Sequence, residues 1–360
     1  MNKRVEIIVP FFVPPYIGGT EAVLKKWYMY FLKKNSQSAE EVDFILPFSN
    51  RRGNLFGDNK KYLRCAPKIF SGSFLMKLAG VIFLCIHLIF TKADSVIVLS
   101  PKYIKLSFYM RKLFRKKYKV ISWIHFSLSN MFTENSSDLK KADYHFAIST
   151  GIAKQLVEMG IDEKKVYVIY NPIEENTRTV EKSDSPKYIY IGRVERYKQK
   201  NLQELLNGFS LVLKSLPKAT LEIWGDGEDL DSLKKVSYDL NIKNHVSFMG
   251  WSLDPWSHID YATALIMTST FEGLPMTILE SLSQGLPVIS SDIQTGPSDE
   301  ISKKNGLLYQ LNNVSELSSG MEKMYTDRDV YKATEIKESI STFYSDRYFK
   351  RIVQIIKNMK

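Results

Sequence analysis

Two carboxylates, Glu272 and Glu280, stand with seven residues between them in the segment Phe271 to Ser290, FEGLPMTILESLSQGLPVIS, directly after the apolar run YATALIMTS. Acids are costly in a stretch otherwise built for a protein interior, so each needs a partner or a ligand. The run ALIMTS reads as a strand and TFEG as a turn. A helix is predicted from about Pro275, a residue favoured at the first helical position, and Gly285 followed by Pro287 ends it. The backbone N–H groups of Leu274, Met276 and Thr277 then lie unpaired at a positive helix end, where a phosphate fits and the Thr277 hydroxyl adds a donor. Glu272 precedes that end. Glu280 lies one and a half turns in and faces the same side if Leu279 and Leu282 face the core. One carboxylate can accept hydrogen bonds from hydroxyls near a reacting atom while the other clasps a diol, which describes a ligand with sugar, phosphate and ribose in line. The plain alternative is a solvent-facing Glu280 and a Glu272 that merely balances the helix dipole; the spacing by itself leaves both open.

Other residues suit the same chemistry. The stretch YIYIGRVERYKQKNLQELLNGF is a strand, a glycine turn, a basic loop and a helix, which sets Arg193 and Lys200 at a strand end where they can neutralise a diphosphate; Lys198 competes with Lys200. Gly18 and Gly19, between the first strand and its helix, let backbone N–H groups approach phosphate, or form an ordinary tight turn. His125 ends the strand ISWIH, either as a functional imidazole or as a satisfied, partly buried one. Gly225, in IWGDGEDL, and Met249 with Gly250 are candidates to line a nucleoside pocket, or simple strand-to-helix connections. The DLD at Asp229 to Asp231 invites a metal reading, but falls within a predicted helix rather than at a strand end, so no metal site is expected.

The elements that carry these residues recur as strand-like runs: VEIIVPF, VDFILPF, DSVIVLS, YKVISWI, DYHFAIS and VYVIY in the first half, then YIYIGR, ATLEIW, HVSFMG, ATALIMTS and LPVISSD, separated by helix-length segments. Continuous apolar strands alternating with helices predict parallel sheets covered on both faces. The chain has 360 residues, and that length with this restart predicts two doubly wound α/β domains, residues 1–170 and 171–342, joined through the polar, proline-bracketed stretch NPIEENTRTVEKSDSPK; a C-terminal amphipathic helix, 343–360, is expected to pack back on the first domain. In such sheets ligands bind beyond the carboxyl ends of the strands, and the residues singled out above follow strands.

The net charge of +11 is uneven: residues 1–171 hold 27 Lys and Arg against 13 Asp and Glu, a balance of +14, and the remainder is at −3. Much of the excess lies in PKYIKLSFYMRKLFRKKYK, Pro101 to Lys119, where Ile104, Phe108 and Phe114 are positioned to form an apolar stripe beside Lys105, Arg111, Lys112, Arg115, Lys116 and Lys117. A solvated helix face and a surface for anionic lipid or a phosphate-bearing acceptor both satisfy this pattern. No nucleic-acid-binding motif is present. The apolar segment Phe74 to Phe90 contains Lys77 and His87 and is short of the roughly 20 residues a bilayer span requires, so a buried or membrane-facing helix is expected. The N-terminus starts charged and runs apolar, but contains three prolines and no cleavage pattern, so it reads as the first strand rather than a secretory signal. Cys65 and Cys85 have no metal-ligand spacing, which suits a reducing cytoplasm.

Taken together, the paired glutamates, the Arg193 and Lys200 pair and the Gly18-Gly19 loop resemble the family 4 glycosyltransferases, retaining and nucleotide-sugar dependent, of the GT-B fold. SWIHFSLS, ADYHFAISTGI, YNPI, GW…PW, FEGLPMTILE and SSDIQTGPSDEI are most similar to its lipopolysaccharide 1,6-galactosyltransferase branch. The resemblance implies two Rossmann-like domains facing an interdomain cleft, and metal-independent transfer of a galactose- or glucose-type hexose from a UDP-sugar, the donor substrate, to a hydroxyl of a glycan, with no separate cofactor. It implies that Arg193 and Lys200 hold the diphosphate, Glu272 touches the sugar near its anomeric carbon, Glu280 the ribose, His125 the sugar, and the Gly18-Gly19 backbone the phosphates or the anomeric region. The loop from Arg193 to Lys200 is two residues longer than the family pattern, which keeps Lys198 in play. The Lys-, Asn- and Ile-rich composition suits a Gram-positive source, where the acceptor to expect is a capsular or exopolysaccharide intermediate on a lipid carrier, or a glycosylated surface protein, at the inner face of the plasma membrane. A non-catalytic partner subunit of another transferase and a UDP-sugar epimerase are the competing readings; intact glutamates and cations argue against the first, the basic N-terminal half against the second.

Overall fold

The computed structural model describes residues 3–10, 18–35, 41–48, 63–65, 73–130 and 136–359. The chain divides into two compact units, Met1–Pro172 with Phe349–Lys360, and Ile173–Tyr348.

The first unit is built on seven parallel strands: β1 (Arg4–Ile8), β2 (Glu41–Leu46), β3 (Leu63–Cys65), β4 (Ser95–Val98), β5 (Lys119–Ile124), β6 (Tyr144–Ala147) and β7 (Val166–Val168). Their order, β3-β2-β1-β4-β5-β6-β7, reverses direction between β1 and β4. β4 is buried along its whole length, as a strand covered on both faces must be. The covering helices are α1 (Gly19–Asn35), α2 (Ser73–Phe90), α3 (Pro101–Leu113), α4 (Ser136–Leu139) and α5 (Thr150–Glu158). α5 starts where the Ser149 side chain accepts a hydrogen bond from the Ile152 N–H, a standard N-cap.

Within α3 the predicted single apolar stripe does not form. Ile104 is buried against the sheet, Phe108 is half-buried and Phe114 is exposed beyond the helix end. Arg111 is not a free surface cation: it pairs with Asp143 and donates to the Tyr118 carbonyl. Phe114 is the C-cap of α3, past its last helical residue, so it does not continue the side of the helix on which Ile104 and Phe108 lie.

The second unit carries a six-stranded parallel sheet of β9 (Lys187–Ile191), β10 (Thr220–Trp224), β11 (Val246–Gly250), β13 (Ala264–Met267), β14 (Val288–Asp292) and β15 (Gly306–Gln310), with a small pair formed by β8 (Glu181–Lys182) and β12 (Tyr261–Ala262). The order β11-β10-β9-β13-β14-β15 again reverses, here between β9 and β13. Helices α6 (Leu202–Ser215), α7 (Leu230–Asp239), α8 (Met276–Ser283), α9 (Pro297–Glu300), α10 (Val314–Thr326) and α11 (Ala333–Ser339) complete it. The stretch read as a linker is instead fastened to this unit. Arg178 donates to the carbonyls of Trp256 and Ile259, and Lys337 Nζ donates to the Arg178 carbonyl and Thr179 Oγ1 at 2.8 Å each. Polar composition marked exposure to water, but here those polar groups serve as docking donors and acceptors.

The last helix, α12 (Ser345–Asn358), crosses from one unit to the other along the chain. Its Phe349 stacks on Tyr30 with centroids 4.0 Å apart, Arg351 donates to the Ile169 carbonyl, and Lys3 Nζ donates to the carbonyls of Ile356, Lys357 and Met359.

Candidate functional site

The candidate residues of the second unit gather at the point where its strand order reverses. β9 ends at Ile191, and Gly192 turns the chain into the loop that carries Arg193 to Lys200; β13 ends at Met267, followed by the turn that carries Glu272. Because β9 and β13 are neighbours, these loops meet. Thr270 N–H donates to the Gln199 carbonyl at 2.8 Å, and the Thr268 hydroxyl lies 2.9 Å from the Lys200 carbonyl and 3.0 Å from that of Asn201.

That backbone lacing puts the Lys200 ammonium 2.6 Å from Glu272 Oε1, with only 17% and 10% of the two side chains exposed. Gln199 Nε2 donates to Glu272 Oε2 at 3.1 Å, while its Oε1 accepts from Arg193 at 2.7 Å. Arg193 also pairs with Glu195 at 2.8 Å, and 63% of its side chain is exposed. A chain of charge-assisted hydrogen bonds therefore runs Arg193–Gln199–Glu272–Lys200. Lys198 is directed elsewhere, onto the exposed Glu228.

Glu272 is held from behind as well, since the Thr295 hydroxyl donates to its carbonyl. α8 follows. Its first residue is Met276, one later than the sequence predicts; Pro275 is extended at φ −73°, ψ 107° and serves as the N-cap. Ile278 is the first residue whose N–H is used inside this turn, to the Pro275 carbonyl, so the N–H groups of Met276 and Thr277 precede the intrahelical ladder. Leu274 and Met276 are buried and Thr277 half-buried, while Leu279 and Leu282 face the core completely. Glu280 is accordingly on the opposite, half-buried side, where the Trp256 indole N–H lies 3.3 Å from its Oε2.

The strand ends beside this cluster are close-packed glycine backbones. Gly225, at φ +139°, donates its N–H to the Gly250 carbonyl at 2.8 Å, and a Cβ there would overlap the Gly192 carbonyl oxygen. Met249 is nearly half exposed. Asp229 caps α7 from outside the helix and accepts from the Arg196 N–H, and among the described residues no group of three His, Cys, Asp or Glu could hold a metal.

In the first unit, His125 follows β5 and is buried, its ring tilted against Trp123 at 4.6 Å. Burial drives its pKa down to about 3, so the imidazole is neutral, and Nε2 has no hydrogen-bond partner. Gly18 and Gly19 are exposed at the start of α1; residues 11–17 lie outside the described residues.

The sequence did not single out Gln199, Trp256 or Glu300. Gln199 sat in the extra-long basic loop and Trp256 in the GW…PW motif, so both had a signal. Glu300 had only its place in SSDIQTGPSDEI: it is buried with both carboxylate oxygens unpartnered, and burial, with the charges of Asp299 and Glu272, pushes its pKa well above the carboxylate range.

The comparisons with known proteins bear on this arrangement. The family model described as glycosyl transferases group 1 matches residues 173–340. The lipopolysaccharide 1,6-galactosyltransferase of Escherichia coli K12 is 35% identical over 245 residues, 66% of this chain and 67% of that protein, and the Salmonella typhimurium enzyme of the same name is 35% identical over 248 residues, 67% and 68%. The chain belongs to the group 1 glycosyl transferases. A solved lipopolysaccharide outer core galactosyltransferase, WaaB, superposes on this group 1 transferase with a TM-score of 0.84 at 28% identity, covering 99% of this chain and all of that one. The fold is thus GT-B. The Anabaena HepE structure in complex with UDP shares it, with a TM-score of 0.78 at 16% identity over 99% of this chain and 100% of that chain.

Proposed function

We propose that this glycosyltransferase moves a hexose of galactose or glucose type from a UDP-sugar to a hydroxyl of a glycan acceptor, with retention at the anomeric carbon and without a metal. The observation that carries the reading is the Lys200–Glu272 pair at the strand-order reversal, beside the N-terminus of α8 and the exposed Arg193 guanidinium. The two galactosyltransferase relatives support the donor class, and the UDP in the HepE structure supports the nucleotide.

In this reading the diphosphate receives its counter-charge from Arg193, Lys200 and the free N–H groups of Met276 and Thr277, with Leu274 beside them. The Lys200 ammonium has three N–H donors, and Glu272 occupies one. Both Glu272 oxygens already accept hydrogen bonds, from Lys200 and Gln199, which makes the group a poor nucleophile and a good acceptor for sugar hydroxyls. The step is therefore a front-face substitution: the bond from the anomeric carbon to the diphosphate oxygen breaks, the bond to the acceptor oxygen forms on the same face, and the acceptor proton passes to the departing diphosphate. Each well-placed donor to that leaving group contributes roughly 3–4 kcal/mol. Glu280 with Trp256 is assigned to the ribose, and Gly225 and Met249 to the nucleoside. In the first unit taken by itself, the exposed backbone at Gly18 and Gly19 is assigned to an anionic group and the unpartnered Nε2 of His125 to a sugar hydroxyl.

The test is UDP release from a panel of UDP-hexoses, with lipid-linked glycans as acceptors, by the intact chain and by Glu272→Gln. The expected result is turnover with one UDP-hexose, insensitive to chelator, that falls at least about 100-fold in the variant while UDP binding by calorimetry persists. Unchanged turnover in Glu272→Gln, or no consumption of any UDP-hexose, overturns the reading.

A further inference from the structure

The outward face of α2 is apolar along its whole length. Phe74, Leu78, Ile82, Ile86 and Phe90 follow one another at four-residue steps, each between 47% and 75% exposed, and Leu75 lies beside them at 46%. At 1.5 Å per residue this ridge runs about 24 Å. The opposite face is locked down: Leu84 and Leu88 are fully buried, and His87 Nε2 lies 2.8 Å from Glu6 Oε2 on β1. Such a ridge is far larger than the scattered exposed apolar residues of an ordinary surface.

The charge around the ridge says what covers it. Between Asp58 and Glu134 the sequence has a single acid, Asp94, against 14 Lys and Arg, and the Asp94 carboxylate already accepts the Arg4 N–H. Lys77 is exposed on α2 itself; α3, which packs beside α2, exposes Lys102, Lys105 and Lys112, of which Lys105 lies 3.9 Å from Asp138 on α4, and Arg115 and Lys117 follow it. Leu113 and Phe114 are exposed among them. A second copy of this chain docked on the ridge would bring two such basic surfaces together, which like-charge repulsion opposes. An interface of apolar side chains flanked by lysines matches the boundary of an anionic bilayer, where the apolar layer enters the acyl region and the ammonium groups stay among the phosphates. No described helix is long and apolar enough to cross a membrane, and the buried face of α2 keeps it in plane.

We propose that the α2 ridge, with the acid-poor basic surface of α3 beside it, seats this unit on an anionic lipid bilayer. The test is flotation of the full chain with vesicles of phosphatidylcholine alone and with about 30% phosphatidylglycerol, at low salt and at roughly 0.5 M, where the Debye length shortens to roughly 4 Å. The expected result is flotation with the anionic vesicles that weakens at least about threefold at high salt. Ile82→Asp/Ile86→Asp, both at solvent-facing positions, should cut the bound fraction about tenfold with the thermal melt unchanged. Lys112→Glu/Lys117→Glu should erase the preference for anionic lipid, whereas Lys218→Glu, on the other unit, should float as the parent does. A parent chain that stays at the bottom with anionic vesicles overturns the proposal, as does a ridge variant that floats unimpaired. So does sedimentation showing that the ridge variant dissolves a dimer while vesicles retain neither form, which would assign the ridge to a second copy.

Discussion

Lys200 Nζ lies 2.6 Å from Glu272 Oε1 across 72 positions of sequence, joining the loop after β9 to the turn after β13. Removing either partner leaves a nearly buried charge uncompensated, a situation that costs about 3–5 kcal/mol at full burial. Lys200→Ala is expected to lower kcat/KM about 100-fold and to lower stability as well. Lys198→Ala breaks an exposed pair with Glu228, worth at most about 1 kcal/mol, and should change kcat/KM less than about threefold. Steady-state kinetics on both variants, with urea melts, separates the two lysines; a larger kinetic loss at Lys198 would reverse the assignment.

Gly225→Ala places a methyl group against the Gly192 carbonyl oxygen in a backbone conformation, φ +139°, that side chains avoid. The neighbouring backbone cannot swing away as a flexible side chain could, because Gly192 itself donates to the Trp224 carbonyl and is laced to β10. A loss of at least about 1–3 kcal/mol in urea-melt stability is expected, with a raised KM for the donor. Parent-like stability would show that the two strand ends are less tightly coupled than the packing indicates.

His145, on β6, is buried with Nδ1 2.7 Å from Ser122 Oγ, and burial, with the charge of Lys165, lowers its pKa to about 4. A depressed histidine is neutral when folded while the unfolded chain takes up a proton below about 6.5, so the stability it permits is complete above that value and is lost as pH falls towards 4. Between pH 7 and pH 5 the loss from this residue is about 2 kcal/mol. His125, lowered to about 3, acts in the same direction. Denaturant melts across this window should show a shallower decline in His145→Asn than in the parent, and an equal slope would count against a neutral buried His145.

Glu300 works with the opposite sign. Its pKa is raised by burial and by Asp299 and Glu272, so folding favours the protonated form and stability is complete below about 4.5 and declines as pH rises. Glu300→Gln keeps the shape without the titration. It should be more stable than the parent at pH 8, with the gain vanishing near pH 4. A variant less stable at pH 8 would reveal that the carboxylate form has a native partner.

The sequence by itself determined the alternation of apolar strands with helices, the restart in the second half, and the loops that carry Arg193, Lys200 and Glu272. Parallel strands buried on both faces are written as continuous apolar runs, and strand ends are punctuated by glycine, so these features are local and readable. The strands not read from sequence were β3, β8, β12 and β15: the first three are three residues or fewer and lack a continuous apolar run, and β15, GLLYQ, has only a short one. What only the tertiary structure decided are pairings between distant segments: which lysine meets Glu272, that Trp256 reaches Glu280, and that Ile104 turns inward while the face of α2 turns out. Those depend on which strands become neighbours in the sheet. Strand order is settled by the burial of the whole chain, and no window of sequence contains it.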